Sequence, residues 1–215
     1  MTDHDREAEL REALFRSYRY LVEHNLTELA SGNVSCRLGD GFLISPTGAT
    51  GESIRPESFV RIGSDGRAME PGRASSELPM HLAVYARVPE AISVVHTHSD
   101  SCVALACCGM GIPGFHYLVG GFGGDDIPCV PYATFGSEEL AEFAAKGLVD
   151  RKACLLANHG AICHDTDIER ATIRAHRLEI LARQYLLARG AGEPRLLSDR
   201  NWADHHEMAR RLQYG

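Results

Sequence analysis

The chain has 215 residues, 44% of them hydrophobic and 24% charged, which is long enough to bury one core and reads as a single domain over 1–215. Twenty-two basic against 29 acidic side chains leave a net charge of −7, which excludes the basic footprint expected of a nucleic-acid or anionic-membrane partner but not a small phosphorylated ligand. The charged start MTDHDREAELREALFRSYRYLVEHN cannot be a secretory signal, and no apolar run approaches the roughly 18 residues of a spanning helix, so a soluble, cytoplasmic protein is expected.

In chain order, residues 5–24 place Leu10, Leu14, Tyr18, Leu21 and Val22 at spacings of three and four, predicting an amphipathic helix. GFLISPTG, from residue 41, reads as a short strand ending in a turn. A second helix is predicted after Ser75 and Ser76, which can cap it; Pro79 suits its first turn, and Leu78, Leu82 and Tyr85 form its inner stripe. AISVVHTH is β-branched and short and reads as a strand, as does the apolar part of KACLLANHG. Further helices are predicted at 137–149 and 167–189, the latter with Ile168, Ala171, Ala175, Leu178 and Leu181 on one face. The alternation indicates a layered α/β or α+β domain. Seven cysteines, at 36, 102, 107, 108, 129, 154 and 163, lack a CxxC pair and read as buried, reduced core thiols.

Successive strand side chains point to opposite faces, so His96 and His98 share one side with Thr97 opposite. That pair alone leaves metal binding open. Further donors come from His159, at the end of an apolar run in LLANHGA, and from Glu77, at the start of the second helix in RASSELPMH. Three imidazoles and a carboxylate suit zinc or another divalent first-row ion. His81, four residues after Glu77, is either a further ligand or a helix residue packed on the sheet. SGNVSCR, SPTGAT and ASSE combine Gly with Ser, Thr or Asn at turns, a way of presenting amides and hydroxyls to a phosphate. None fits GxxxxGK[ST], and GGFGGDD lacks a dinucleotide context, so no nucleotide cofactor is indicated.

Taken in order, SGNVS, SPTG, SSE, HTH, HYLVGGFGGDDIPCVPYATFG and NHG resemble the class II aldolase/adducin family from about residue 10 to residue 190. The resemblance implies a three-layer α/β/α sandwich around a central, largely antiparallel sheet, and a homotetramer with active sites at subunit interfaces. It implies that Glu77, His96, His98 and His159 hold one Zn2+ per chain, with Glu77 leaving the metal when substrate binds. Asn33, Thr47, Gly48, Ser75 and Ser76 match the family's phosphate-binding positions. Tyr117 matches a proton donor that reaches a neighbouring subunit's site, and Phe135 an aromatic residue near the aldehyde end. Tyr214 could match a tyrosine from the family's C-terminal tail, although the chain diverges beyond residue 190.

Chemistry bears on these roles independently. Cleaving a carbon–carbon bond beside a carbonyl leaves a carbanion that must be held as an enediolate, and a chelated metal does so as a Lewis acid. With only Lys146 and Lys152 in the chain and neither in a motif, a Schiff-base route is poorly supported. Glu77 could move a proton on the three-carbon fragment, and a tyrosine hydroxyl could donate one to the aldehyde oxygen. The expected reaction is reversible retro-aldol cleavage of a ketose 1-phosphate, L-fuculose 1-phosphate first, to dihydroxyacetone phosphate and a short aldehyde such as L-lactaldehyde. Alternatives are an L-ribulose-5-phosphate 4-epimerase, in which aspartate commonly replaces Glu77, and an aldolase or dehydratase for 5-deoxyribulose or methylthioribulose 1-phosphate. A structural zinc site and a non-catalytic adducin-like interaction module are further alternatives; the latter would be expected to lack the histidines.

Overall fold

A computed structural model describes residues 3–212, so Tyr214 lies outside the described residues. The helix predicted at 5–24 is α1, Asp3–Glu23. Leu14, Tyr18 and Leu21 are buried along it, with Leu10 and Val22 at the edge of the same stripe. Then follow β1 (Asn33–Leu38), β2 (Gly41–Ile44), β3 (Val60–Ile62), α2 (Leu78–Arg87), β4 (Ser93–Thr97) and α3 (Asp100–Cys107). The rest are β5 (Cys129–Val130), α4 (Glu138–Gly147), β6 (Ala153–Leu156), β7 (Gly160–Asp165), α5 (Ile168–Ala191) and α6 (Asp199–Arg211). Among the described residues no helix is long and apolar enough to cross a membrane.

The strands form one sheet in the order β3-β2-β1-β4-β7-β6-β5, antiparallel except for β5 against β6. Side-chain alternation splits its two faces between two apolar layers. Val34, Leu43, Val95, Leu155 and Cys163 join α1, α3 and α5 on one side. Ile44, Ile62, Val94, Leu156 and Ile162 join α2 and α4 on the other. Central strands buried on both faces are what a three-layer α/β/α arrangement requires. The C-terminal α6 has one buried residue, Trp202, whose ring occupies the space beside Gly114; a Cβ there would come within 2.7 Å of it.

Three expectations need correction. The inner face of α2 is Met80, His81, Val84 and Tyr85, while Leu78 and Leu82 are only partly buried. A buried histidine inside the stripe displaced the apolar phase read from the sequence. The N-cap position is held by Glu77, not by a serine, and its side chain makes no capping bond; Ser75 Oγ accepts from the Glu77 N–H at 3.2 Å. Of the seven free thiols, Cys36, Cys102, Cys154 and Cys163 are buried and Cys129 is partly so, but Cys107 and Cys108 are exposed because α3 ends there and its last turn leaves the core.

Candidate metal centre and active site

Three segments of the chain deliver four donors to one point. On β4, His96 faces the α2/α4 side, as Val94 does, while Thr97 is buried against the opposite layer. His98 follows directly where the strand ends, its N–H donating to the Leu26 carbonyl at 3.1 Å. His159 sits on the turn joining β6 to β7, after Asn158, which holds a left-handed φ of 54°. Asparagine tolerates that conformation at small cost. Gly160 lets this turn press against β4: a Cβ there would lie 2.4 Å from the Thr97 carbonyl oxygen. Glu77, at the head of α2, closes the group from the helical layer.

The ligand atoms of Glu77, His96, His98 and His159 lie within 4.8 Å of one another. His96 Nε2 is 2.8 Å from Glu77 Oε2 and 2.9 Å from His98 Nε2, and His159 Nε2 is 3.4 Å from Glu77 Oε1. A carbonyl oxygen accepts only, so the 2.9 Å contact between His96 Nδ1 and Ala161 O places a proton on Nδ1 and turns Nε2 inward. Such a backbone partner is what orients a metal-bound imidazole. Glu77 Oε1 is buried without a hydrogen-bond partner, a costly arrangement that a cation at the centre of the cluster resolves.

The electrostatics suit the same occupant. Burial, followed by the neighbouring histidines, pulls His98 down to about 3 and His159 down to about 4, leaving both imidazoles neutral and able to ligate. For Glu77, burial opposes ionisation, but the His96 contact outweighs it and holds the carboxyl well below its usual range. For His96, burial lowers the pKa and the Glu77 carboxylate more than restores it. The Glu77–His96 contact thus favours an ionised carboxylate, and a divalent ion would compete with any proton on His96. His81 is not among the cluster donors; it is the packed helix residue of the two sequence readings, buried and pulled down to about 3, by desolvation first.

The cluster opens into a pocket of about 300 Å3. All five positions expected to bind phosphate, Asn33, Thr47, Gly48, Ser75 and Ser76, line it beside Glu77, His98 and His159. The Thr47 and Ser75 N–H groups are spent on the Arg73 and Ser45 carbonyls, so these residues offer hydroxyls rather than amides. No Lys or Arg is among the lining residues. Phe135, 67% exposed, stands at the rim. Tyr117 is not in this pocket. It opens a 3-10 turn over Tyr117–Phe122, is 52% exposed, stacks on His116 and meets the edge of His205 on α6. The pocket also holds Tyr132 and Asn158, which sequence reasoning passed over; the Asn preceding His159–Gly160 was a signal for a left-handed turn at a site.

Residues 12–186 match the family described as Class II Aldolase and Adducin N-terminal domain. The chain is 41% identical over 169 residues, 79% of each chain, to the L-fuculose phosphate aldolase of Escherichia coli K12. It is 40% identical over 188 residues, covering 87% of this chain and 85% of the relative, to a 5-methylthioribulose-1-phosphate/5-deoxyribulose-1-phosphate aldolase of Rhodospirillum rubrum. Among solved structures, an L-fuculose 1-phosphate aldolase superposes with a TM-score of 0.89 at 31% identity over 96% of this chain and 97% of that one.

Proposed function

The chain belongs to the class II aldolase and adducin family, and from that membership we propose that it is a zinc-dependent sugar-phosphate aldolase, a lyase that reversibly cleaves L-fuculose 1-phosphate to dihydroxyacetone phosphate and L-lactaldehyde. The observation that carries this reading is a three-histidine, one-glutamate shell opening into a pocket whose other polar groups are hydroxyls and amides. Zinc suits four N and O donors of this kind. Bound by Glu77, His96, His98 and His159, it would supply a Lewis acid beside the substrate carbonyl. The two apolar layers share one sheet, in keeping with a single domain over 1–215. Seven free thiols fit the reducing cytoplasm.

The chain's own residues divide the remaining work. The Ser75, Ser76 and Thr47 hydroxyls and one N–H of Asn33 donate to the phosphate, with Gly48 beside it. Lacking a cationic side chain, this subsite relies on directional hydrogen bonds to hold the dianion. Glu77 takes the proton from the three-carbon fragment in condensation and returns it in cleavage. Phe135 covers the aldehyde end. Tyr117, exposed and away from its own pocket, is the donor to the aldehyde oxygen of a neighbouring subunit in a homotetramer. Tyr117→Phe is accordingly expected to lower kcat by about a hundredfold or more, with an unchanged melting temperature because the ring is half exposed. A wild-type rate would remove Tyr117 from the reaction.

A second reading within the family is cleavage of 5-deoxyribulose or methylthioribulose 1-phosphate, favoured by the 40% identity to the Rhodospirillum rubrum enzyme. A glutamate at position 77 argues against the 4-epimerase, and an intact metal shell argues against a non-catalytic module. Assaying dihydroxyacetone phosphate release across a panel of ketose phosphates tests the proposal. L-fuculose 1-phosphate is expected to show the highest kcat/KM; preference for a 5-deoxy or methylthio pentulose would move the substrate, and no release from any ketose 1-phosphate would end the aldolase reading.

A further inference from the structure

Behind Glu77 runs a file of buried polar side chains of which the chemistry above uses only Asn33. Asn33 Nδ2 donates to Glu77 Oε2 at 3.2 Å, and the Asn33 amide oxygen meets His81 Nε2. Across the same ring, Nδ1 lies 2.6 Å from Ser35 Oγ, which in turn lies 2.7 Å from Tyr85 Oη. Helical spacing places Glu77, His81 and Tyr85 one turn apart, while Asn33 and Ser35 are alternate residues of β1 facing them. All five are at least nine-tenths buried, so water does not compete for these bonds.

The direction of every bond follows from the carboxylate end. An ionised Glu77 only accepts, so Asn33 turns its NH2 group toward Glu77 and its oxygen toward His81. An amide oxygen only accepts, so His81 carries its proton on Nε2. Burial keeps the ring neutral, leaving Nδ1 to accept from the Ser35 hydroxyl, whose oxygen accepts from Tyr85. Reversing the Asn33 amide would set two donors against each other at His81 and leave Glu77 Oε2 facing an acceptor, so that buried groups on both sides would go unpaired.

We propose that His81 is a positioning residue for proton transfer: by fixing the Asn33 amide it commits Glu77 Oε2 to accepting a hydrogen bond and reserves Oε1, the buried oxygen without a hydrogen-bond partner, as the atom that moves the proton. This rests on Glu77 being the base. In condensation, Oε1 takes the proton from the carbon that will form the new bond, and the electron pair stays on the three-carbon fragment; in cleavage the same proton returns.

The tautomer is read directly by NMR of 15N-histidine-labelled, zinc-loaded protein at neutral pH, with the His81 signals assigned by their loss in His81→Gln. A protonated Nε2 and a bare Nδ1 are expected; a proton on Nδ1, or on both nitrogens, overturns the proposal. Kinetically, His81→Leu is expected to lower kcat about 10- to 100-fold at unchanged KM and zinc content. His81→Gln, whose amide can still donate to Asn33, should recover most of that loss. In a Glu77→Gln background His81→Leu should add nothing, whereas a general loss of structure would add to the first defect. A folded, zinc-loaded His81→Leu enzyme with wild-type kcat overturns the role. Wild-type kcat in Glu77→Gln alone would instead overturn the base, and the His81 role with it, while leaving the tautomer as observed.

Discussion

Glu77→Gln is expected to leave the protein folded and to reduce turnover by about two to four orders of magnitude, the span that general-base catalysis typically contributes. The substitution keeps volume and shape at a residue with only 6% exposure, so packing around α2 is preserved. An amide oxygen can still accept from Asn33 Nδ2, which maintains the 3.2 Å contact, but the group cannot carry a proton between substrate and solvent. Loss of the charge also weakens the metal shell, so metal content has to be measured alongside rate. Three imidazoles remain, and excess zinc separates the two effects: a variant saturated with zinc that still fails to turn over has lost its base. A zinc-saturated Glu77→Gln enzyme with the wild-type kcat would show that another group moves the proton.

How much of this site was legible before the fold depended on whether its geometry is local. The common side of His96 and His98 follows from the two-residue period of a strand, and Thr97 is buried opposite as that period requires. The α1 stripe and α5 were legible for the same reason, since most of their buried residues are apolar and recur at helical spacing. β1 was not. Its inward residues on the site side are Asn33 and Ser35, so the period of two was written in polar residues, and SGNVSCR read as an anion-binding turn. The inner face of α2 was displaced for a related reason, because His81 interrupts the apolar stripe. Neither α3, eight residues with little polar contrast, nor α6, with Trp202 as its one buried residue, offered a pattern to find. The convergence of His159 and Glu77 on the β4 pair depends on the β4–β7 pairing and on how α2 lies across the sheet, neither of which is encoded in spacing. The position of Tyr117 away from its own chain's pocket agrees with the resemblance, which already assigned it to a neighbouring subunit's site, but no local spacing carries it.

Stripping the metal with a chelator is expected to abolish turnover and to lower the melting temperature by about ten degrees, with zinc restoring both. The thermal part follows from linkage: an ion present at about a thousand times its dissociation constant stabilises the state that binds it by roughly 4 kcal/mol. For a chain of this size each kcal/mol moves the midpoint by about 2–4 °C. The structure indicates what works against that gain. Glu77 lies 2.8 Å from His96 and raises its pKa, so a proton on His96 competes with the metal. Apparent zinc affinity should therefore fall as pH drops and protons compete more strongly for His96. The Glu77 oxygen without a hydrogen bond acts in the opposite sense, since a bound cation would compensate its burial. Differential scanning at two pH values, with and without zinc, separates these contributions: the zinc-induced shift should be larger at the higher pH. A chelated protein that retains full activity, or a midpoint indifferent to zinc at both pH values, would show that the four donors do not form a working metal centre.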